Sequence, residues 1–566
     1  MKKTLFALAV VAVLTLVLAA CGDKEEQEVE KEATVAIEKE ATVVVEKVRA
    51  ATPTPPPATG EAKFGGNLRI TAQGSVSTLD PVYSFFAVVG SIASHFYEGL
   101  FGWDGNLNAQ PRGLDSFSIS PDGLTWTFKL REMKFHDGSP FESQDAIASL
   151  QRAMDTGMPG ITLVNRFSAE DGLKALDTKI FTWTFTEPFG GVPIVLANPH
   201  PPLAMMRAED AATPFTEPVT ERIGTAAYKF VSWDQGDKIV LERFQGYITR
   251  DEPSSPGTYA GKNVAYLDQL IWLEIPDEET KIAGLETGEW DVVDNAGLDF
   301  YKRLKDNPDL QVSVYKPGKR SDMILNPQIT PFKYLNARRA IMTGIDVDSI
   351  MISLGDPDLW ITCAALYWCG TPLDTTAGSS YTVQTSKGPR EIGYDVNDME
   401  TAKLLLQESE YAGETVVLLN PTDYGTITPL GHVLKPVMEE IGFNVEMPAL
   451  DWATITGRFG ATGTWSAATS WYEHFALGNP VTDLFLAGTL DFFGRDEKLI
   501  ELQLAYAREQ NPQKQLEIVD QISMRRWEVV LDLSLGVFFP ISPATKDLKG
   551  FEVKAINFYT NTWLDR

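Results

Sequence analysis

SPDGLTWTFKLREMKFHDGSPFESQDAIASLQRAM, residues 120–154, is the most strongly patterned run of the chain. Ser120-Pro121-Asp122-Gly123 has turn chemistry, because Pro presets φ and Gly tolerates positive φ. Leu124, Trp126, Phe128 and Leu130 then alternate with Thr125, Thr127, Lys129 and Arg131, which predicts a half-buried strand. Asp137-Gly138 predicts a second turn. Ser143 is expected to cap a helix with Asp145 in its first turn, and Ile147, Leu150 and Met154 follow at helical spacing. Strand, turn and helix make one compact unit, with Trp126, Phe128 and Ile147 as its core.

Working outward, Asn67 to Thr71 reads as a strand and Thr78-Leu79-Asp80-Pro81 as a turn. Lys179 to Thr186 is a second alternating strand, and strand patterning resumes at Gly224-Thr225-Ala226-Ala227-Tyr228. Ile282 and Leu285 predict a helix stopped at Thr287-Gly288, followed by a strand at Trp290-Asp291-Val292-Val293. Asn336 to Met342, Met399 to Leu406 and Leu434 to Ile441 read as helices, and Phe443 to Met447 as a strand. Helices alternate with strands along most of the chain, so the class is α/β with mixed sheets.

The 566 residues suffice for several lobes, and a formal charge of −28 excludes nucleic acid as a partner, since phosphate binding needs clustered Lys and Arg. Lys2 and Lys3 precede an apolar run, Leu5 to Val17, too short to span a bilayer and typical of a signal peptide in residues 1–20. Leu18-Ala19-Ala20-Cys21 resembles a lipobox, which implies cleavage before Cys21 and lipidation of its thiol. Residues 21–63 form a low-complexity linker in which Glu-Lys-Glu-Ala-Thr-Val occurs at 30–35 and 38–43, followed by a Pro-rich tract. Cys363 and Cys369 are expected to close a small disulfide loop in an exported protein, with two free buried thiols as the alternative. No metal-ligand spacing surrounds them, and no cofactor motif is present. Gly257 to Asn263 falls one residue short of a phosphate-binding loop and has Asn263 where Ser or Thr is needed.

Thr78-Leu79-Asp80-Pro81, Tyr97-Glu98-Gly99-Leu100, Phe135-His136-Asp137-Gly138, Gly224 to Tyr228, Thr287-Gly288-Glu289-Trp290-Asp291-Val292 and Ala337-Arg338-Arg339-Ala340-Ile341 occur in one order and spacing. In these the chain resembles the extracellular solute-binding proteins of peptide/nickel-type ABC importers, family 5. The resemblance covers nearly all of residues 64–566. It implies a periplasmic-binding-protein-like two-lobed clamshell of type II with an extra domain. Lobe I is then discontinuous, built from 64–106, 224–325 and 530–566. Residues 107–223 form the inserted domain, 326–529 form lobe II, and the hinge lies near 325 and 530. The implied function is capture of a peptide, a peptide-like solute or an oligosaccharide by hinge closure and delivery to a membrane permease. The implied location is extracytoplasmic and membrane-anchored, and the implied state is a monomer.

In peptide-binding relatives an Asp three residues after a Trp neutralises the peptide ammonium. Here Trp471-Tyr472-Glu473-His474 places His474 at that position, with Glu473 one residue early. That departure keeps a nickel chelate or another non-peptide solute open as the alternative. Further candidate ligand contacts are Tyr83, Phe85, Phe86, Tyr424, Gly425, Trp465 and Trp471, of which Phe86 is expected to be core. His136 is expected to stabilise a turn. No nucleophile or metalloprotease motif supports an enzyme, which leaves a ligand sensor or a hydrolase on the same fold as distant alternatives.

Overall fold

The computed structural model describes residues 61–84, 86–106, 108–198, 203–316, 318–473, 478–486 and 494–566. Cys21, the expected signal peptide and nearly all of the linker lie outside them, as do Phe85 and His474. Among the described residues no helix is long and apolar enough to cross a membrane.

Residues 120–154 fold nearly as their pattern predicts. Thr125–Leu130 is the second strand of a four-stranded antiparallel sheet, between Leu114–Ile119 and Ile180–Phe185, with Ser168–Ala175 outermost. Phe128 lies opposite Phe181 and Trp126 opposite Trp183, and the Phe128 and Phe181 rings stack at 4.9 Å. The helix Ser143–Met154 covers the chain nearby with Ala146, Ile147, Leu150 and Ala153 buried. Each fully buried Phe contributes about 1.5–3 kcal/mol. One detail differs. Glu142, not Ser143, is the N-cap, because its side chain and that of Asp145 exchange bonds with each other's backbone as a capping box.

Two seven-stranded mixed sheets dominate the rest, beside three two-stranded ones. The first runs in the order Leu310–Val314, Ile541–Thr545, Val292–Val293, Asn67–Thr71, Gln269–Leu273, Lys238–Arg243, Tyr228–Asp234. The second runs Trp360–Ile361, Asp532–Phe538, Lys319–Leu325, Ala467–Glu473, Thr415–Pro421, Asn444–Glu446, with Ala449–Leu450 also on Thr415–Pro421. Lys319–Leu325 and Asp532–Phe538 therefore belong to the second sheet. The boundaries that the resemblance implies group both, within 224–325 and 530–566, with strands of the first. The chain crosses between sheets at 315–318 and again at 539–540, because the two strands pair with each other and with Ala467–Glu473 or Trp360–Ile361.

The motifs quoted above meet in pairs. Asp80 receives Arg152 Nη2 at 2.7 Å, tying the Thr78–Pro81 turn to the end of helix Ser143–Met154. Glu98 receives Arg112 Nε and Arg131 Nη2, each at 3.1 Å, and the Tyr247 hydroxyl at 2.9 Å. His136 accepts the Gly224 amide at Nδ1 (3.2 Å) and donates from Nε2 to the Ala226 carbonyl (3.0 Å), so its ring ties its turn to the distant segment at 224–226. Only glycine fits at 224, where a Cβ atom would lie 1.8 Å from the Phe96 carbonyl oxygen. His95 likewise accepts the Tyr559 amide at Nε2 (2.8 Å), with Nδ1 bonded to the Ser91 carbonyl (2.8 Å).

A buried charge network locks the two strands that flank the crossings. Arg320 Nη2 binds Asp322 and Asp532, each at 2.6 Å. Arg526, from helix Pro512–Val529, binds Asp532 at 2.5 Å and Asp483 at 2.8 Å, and the Tyr367 hydroxyl completes Asp483 at 2.9 Å. Burial pushes the Asp322 carboxyl well above the usual range, with Asp532 adding to the effect. Burial also acts on Asp532, but the Arg526 and Arg320 guanidiniums outweigh it and hold that carboxyl low. The two shifts run in opposite directions and favour the proton on Asp322, which would leave two guanidiniums facing two carboxylates.

Two expectations follow. Asp322→Asn preserves that balance and costs under about 1 kcal/mol in urea unfolding at pH 7, whereas Arg526→Ala strands buried carboxylates and costs about 3–5 kcal/mol. Equal losses would mean that Asp322 is ionised. Burial also holds His95 down at about 3 and His136 at about 4, so both are bound as neutral rings. Their contribution is complete above the unfolded value near 6.5 and is lost as pH falls towards 4. Melting temperature should drop over that interval, and His136→Asn should flatten the drop. A profile unchanged by the substitution refutes this assignment.

Candidate functional site

Both large sheets deliver the ends of parallel strands to one seam. In the first, Asn67–Thr71 and Val292–Val293 run parallel and lead directly to Gln73 and Asp294. In the second, Thr415–Pro421 and Ala467–Glu473 run parallel, bringing Tyr424 just past one strand and Trp471 to Glu473 at the end of the other. Lys319 begins the strand antiparallel to Ala467–Glu473 and lies opposite Glu473, so it sits at the same end. Ligands of open α/β sheets bind outside the carboxyl ends of such strands.

Side chains stitch the seam. The Tyr424 hydroxyl donates to Gln73 Oε1 at 2.6 Å, and Gln73 Nε2 donates to Asp294 Oδ2 at 3.1 Å. Asn557 Nδ2 donates to the other Asp294 oxygen at 2.6 Å. Further along, Ser75 Oγ donates to Asp423 at 3.0 Å and Asn295 Nδ2 donates to Thr426 Oγ1 at 3.2 Å. A Cβ atom on residue 74 would lie 2.9 Å from the Tyr424 ring, so Gly74 permits this approach. Aromatic rings line the contact: Tyr424 meets Trp471 and Trp452 edge-on, and Trp452 meets Phe86.

Three buried charged side chains stand out. Asp294 is pushed up by burial, which its bonds from Gln73 and Asn557 and the charge of Lys319 only partly offset. Glu473 is fully buried at the end of its strand. Lys319 is 1% exposed, with Nζ 3.6 Å from the centre of the Trp471 ring. Burial pushes its ammonium down to about 7, against the pull of Asp294. Among the described residues no cluster of three or more His, Cys, Asp or Glu is placed to hold a metal ion.

Of the residues expected at the site, Phe86, Tyr424, Gly425, Trp471 and Glu473 lie along the seam. Gly425 faces the Glu278 carboxyl, which would be 2.8 Å from a Cβ atom there. Phe86 packs against Trp452 and Phe459, half-buried rather than fully core. Tyr83 is 45% exposed. Trp465 is fully buried edge-on to Phe459, and it precedes the strand that Trp471 and Glu473 end, about 20 Å away along an extended chain. Cys363 and Cys369 are joined as a disulfide, with 5.9 Å between their Cα atoms. Gln73, Asp294, Lys319 and Trp452 were not anticipated. For Gln73 and Asp294 the signal is a polar residue just beyond a strand, and for Lys319 a charge inside a strand buried at every position.

The profile described as "Bacterial extracellular solute-binding proteins, family 5 Middle" matches residues 108–489. The chain belongs to this family. It is 27% identical over 493 residues to the probable peptide ABC transporter periplasmic-binding protein y4tO of Sinorhizobium fredii, covering 84% of this chain and 89% of that one. Among solved structures, the DppA periplasmic binding protein of Helicobacter pylori in complex with the peptide STSA superposes with a TM-score of 0.72 at 20% identity, covering 89% of this chain and 99% of that one. AgaA of A. tumefaciens R10 in complex with agropinic acid gives 0.72 at 20% identity, covering 88% and 99%. The fold is thus the type II periplasmic-binding-protein fold, and this family 5 protein is a solute-binding protein of the ABC-importer class.

The seam bonds hold the two sheets together, so Tyr424→Phe combined with Asp423→Ala should loosen them. Small-angle scattering of the double variant is expected to give a larger radius of gyration, with unchanged far-ultraviolet dichroism. An unchanged radius refutes this role for the seam.

Proposed function

We propose that this family 5 protein is the membrane-tethered capture subunit of an importer and takes a peptide or peptide-like solute into the seam between the two large sheets. The sheets, with their helices, act as the cores of two lobes, and the four-stranded sheet is the core of the inserted domain within 107–223. The crossings at 315–318 and 539–540 act as the hinge, and closure is favoured by solute that touches both lobes. The observation that carries this reading is the seam itself: aromatic rings, two buried carboxyls and a buried ammonium gathered at strand ends from both sheets. Such a mix suits a zwitterionic chain with side chains, because area comes from the rings and orientation from a few placed charges.

Glu473 and His474 are the groups we assign to the solute's polar end, with Tyr424, Trp471 and Phe86 supplying surface. Cys21 carries the lipid anchor, and residues 21–63 hold the folded body off the membrane. The protein acts by binding, as a monomer, without turnover, and hands its cargo to a permease. A non-peptide solute is the second reading. It is supported by His474 standing where peptide-binding relatives carry Asp, and by a neighbour of the same fold holding agropinic acid.

The test is a thermal-shift screen of di- to pentapeptides, glutathione, agropinic acid, oligosaccharides and nickel–histidine, followed by mass spectrometry of each hit after incubation. A ligand at about 100 times its Kd stabilises by about 2.7 kcal/mol, a readily visible shift. We expect a peptide or peptide-like hit recovered intact and weakened by Glu473→Gln. Chemical conversion of the hit, or no shift with any compound, overturns the reading.

A further inference from the structure

Lys319 is the least expected side chain in the seam. Lysine is almost never fully buried unless paired. Among the described residues no carboxylate forms a salt bridge with its ammonium, although Glu473 lies directly across the strand pair and Asp294 acts on it through space. Apart from Glu473, the polar neighbours that share its face are donors. Strand alternation puts Ser321 on the face of Lys319, and Ser321 lies opposite Trp471. The Ser321 hydroxyl and the Trp471 indole nitrogen are both buried, and neither has a hydrogen-bond partner among the described residues. An indole N–H and an ammonium only donate, and a hydroxyl can. Buried polar groups left in this condition call for an acceptor.

The opposite face of the same strand shows the contrast. There Arg320 is fully buried but meets Asp322, Asp532 and the Leu366 carbonyl. One strand thus carries a cation whose partners are built into the fold and, one residue earlier, a cation whose partner is not.

We propose that Lys319 is a specificity-determining residue that pairs with a carboxylate of the solute, so that the cargo of this protein is an acid. The Trp471 indole and the Ser321 hydroxyl supply the further donors around that carboxylate. Burial in the closed seam strengthens the pair, because an ammonium and a carboxylate removed together from water attract far more than at a surface. The Trp471 face holds the ammonium in place before the solute arrives, which keeps its side chain ordered. The carboxylate can come from the end of a peptide, from an acidic side chain or from a sugar-acid conjugate. This inference rests on the seam being the solute site.

The experiment measures calorimetric affinity of the purified protein and of Lys319→Met for matched pairs. These are neutral-side-chain di- to tetrapeptides and their C-terminal amides, glutathione and its diethyl ester, and agropinic acid and its methyl ester. The parent should prefer an acid over its neutral partner at least about tenfold, the range of a charge-assisted bond, and Lys319→Met should abolish that preference. Which pair shows the preference identifies the source of the carboxylate. The ligand-free melting temperature of Lys319→Met should match or exceed the parent's, since the substitution keeps the stem and removes an unpaired charge. A lower melting temperature assigns Lys319 to the fold and overturns the proposal. Equal binding of acid and neutral partner overturns it too, and leaves the seam as the solute site. Binding of none of these compounds, by contrast, removes the peptide-like reading and the proposal with it.

Discussion

The salt-bridge network of Arg320, Asp322, Arg526, Asp532 and Asp483 is the constraint on which the second sheet and the seam depend. It links the two strands that flank the crossings, Lys319–Leu325 and Asp532–Phe538, to helix Pro512–Val529. Five ionisable groups in a dry interior are tolerable only when each finds a partner, and the upward shift of Asp322 favours a neutral sum. The network fixes the face that Lys319–Leu325 turns towards it. By alternation it also fixes the other face, on which Lys319 meets Trp471. The geometry of the seam is therefore set from behind, by side chains that never reach it.

A similar division holds for the motifs of the first half. Asp80 with Arg152, Glu98 with Arg112 and Arg131, and His136 with Gly224 and Ala226 are interlocks between segments far apart in sequence. They join the four-stranded sheet to the first large sheet. Each short motif holds one half of a lock, which is why each looks weak alone. None of them contributes a side chain to the seam.

Much of the local structure was legible because its physics is local. Alternation over residues 124–131 gave the strand Thr125–Leu130, and helical spacing gave Met399–Gln407 and the second half of Thr428–Ile441. The cap of helix Ser143–Met154 was displaced by one residue, since Glu142 and Ser143 both offer oxygen acceptors and only the chain's path selects between them. The crossings were harder to read. The hydrophobic content of Lys319–Leu325 is the same whichever sheet it joins, and its pairing with residues some 150 and 210 positions later leaves no local trace.

By itself the sequence determined the α/β class, the strand-turn-helix unit at 120–154, the disulfide partners and the family, because each depends on residues near one another in the chain or on an ordered set of short motifs. Along the seam it singled out Tyr424, Trp471 and Glu473, which stand out as residue types. Only the tertiary structure decided that Gln73, Asp294 and Lys319 join them. An isolated Gln, Asp or Lys is ordinarily a solvated surface residue. What makes each significant is burial beside a particular partner, or beside none, and that is a property of two sheets meeting rather than of any stretch of chain.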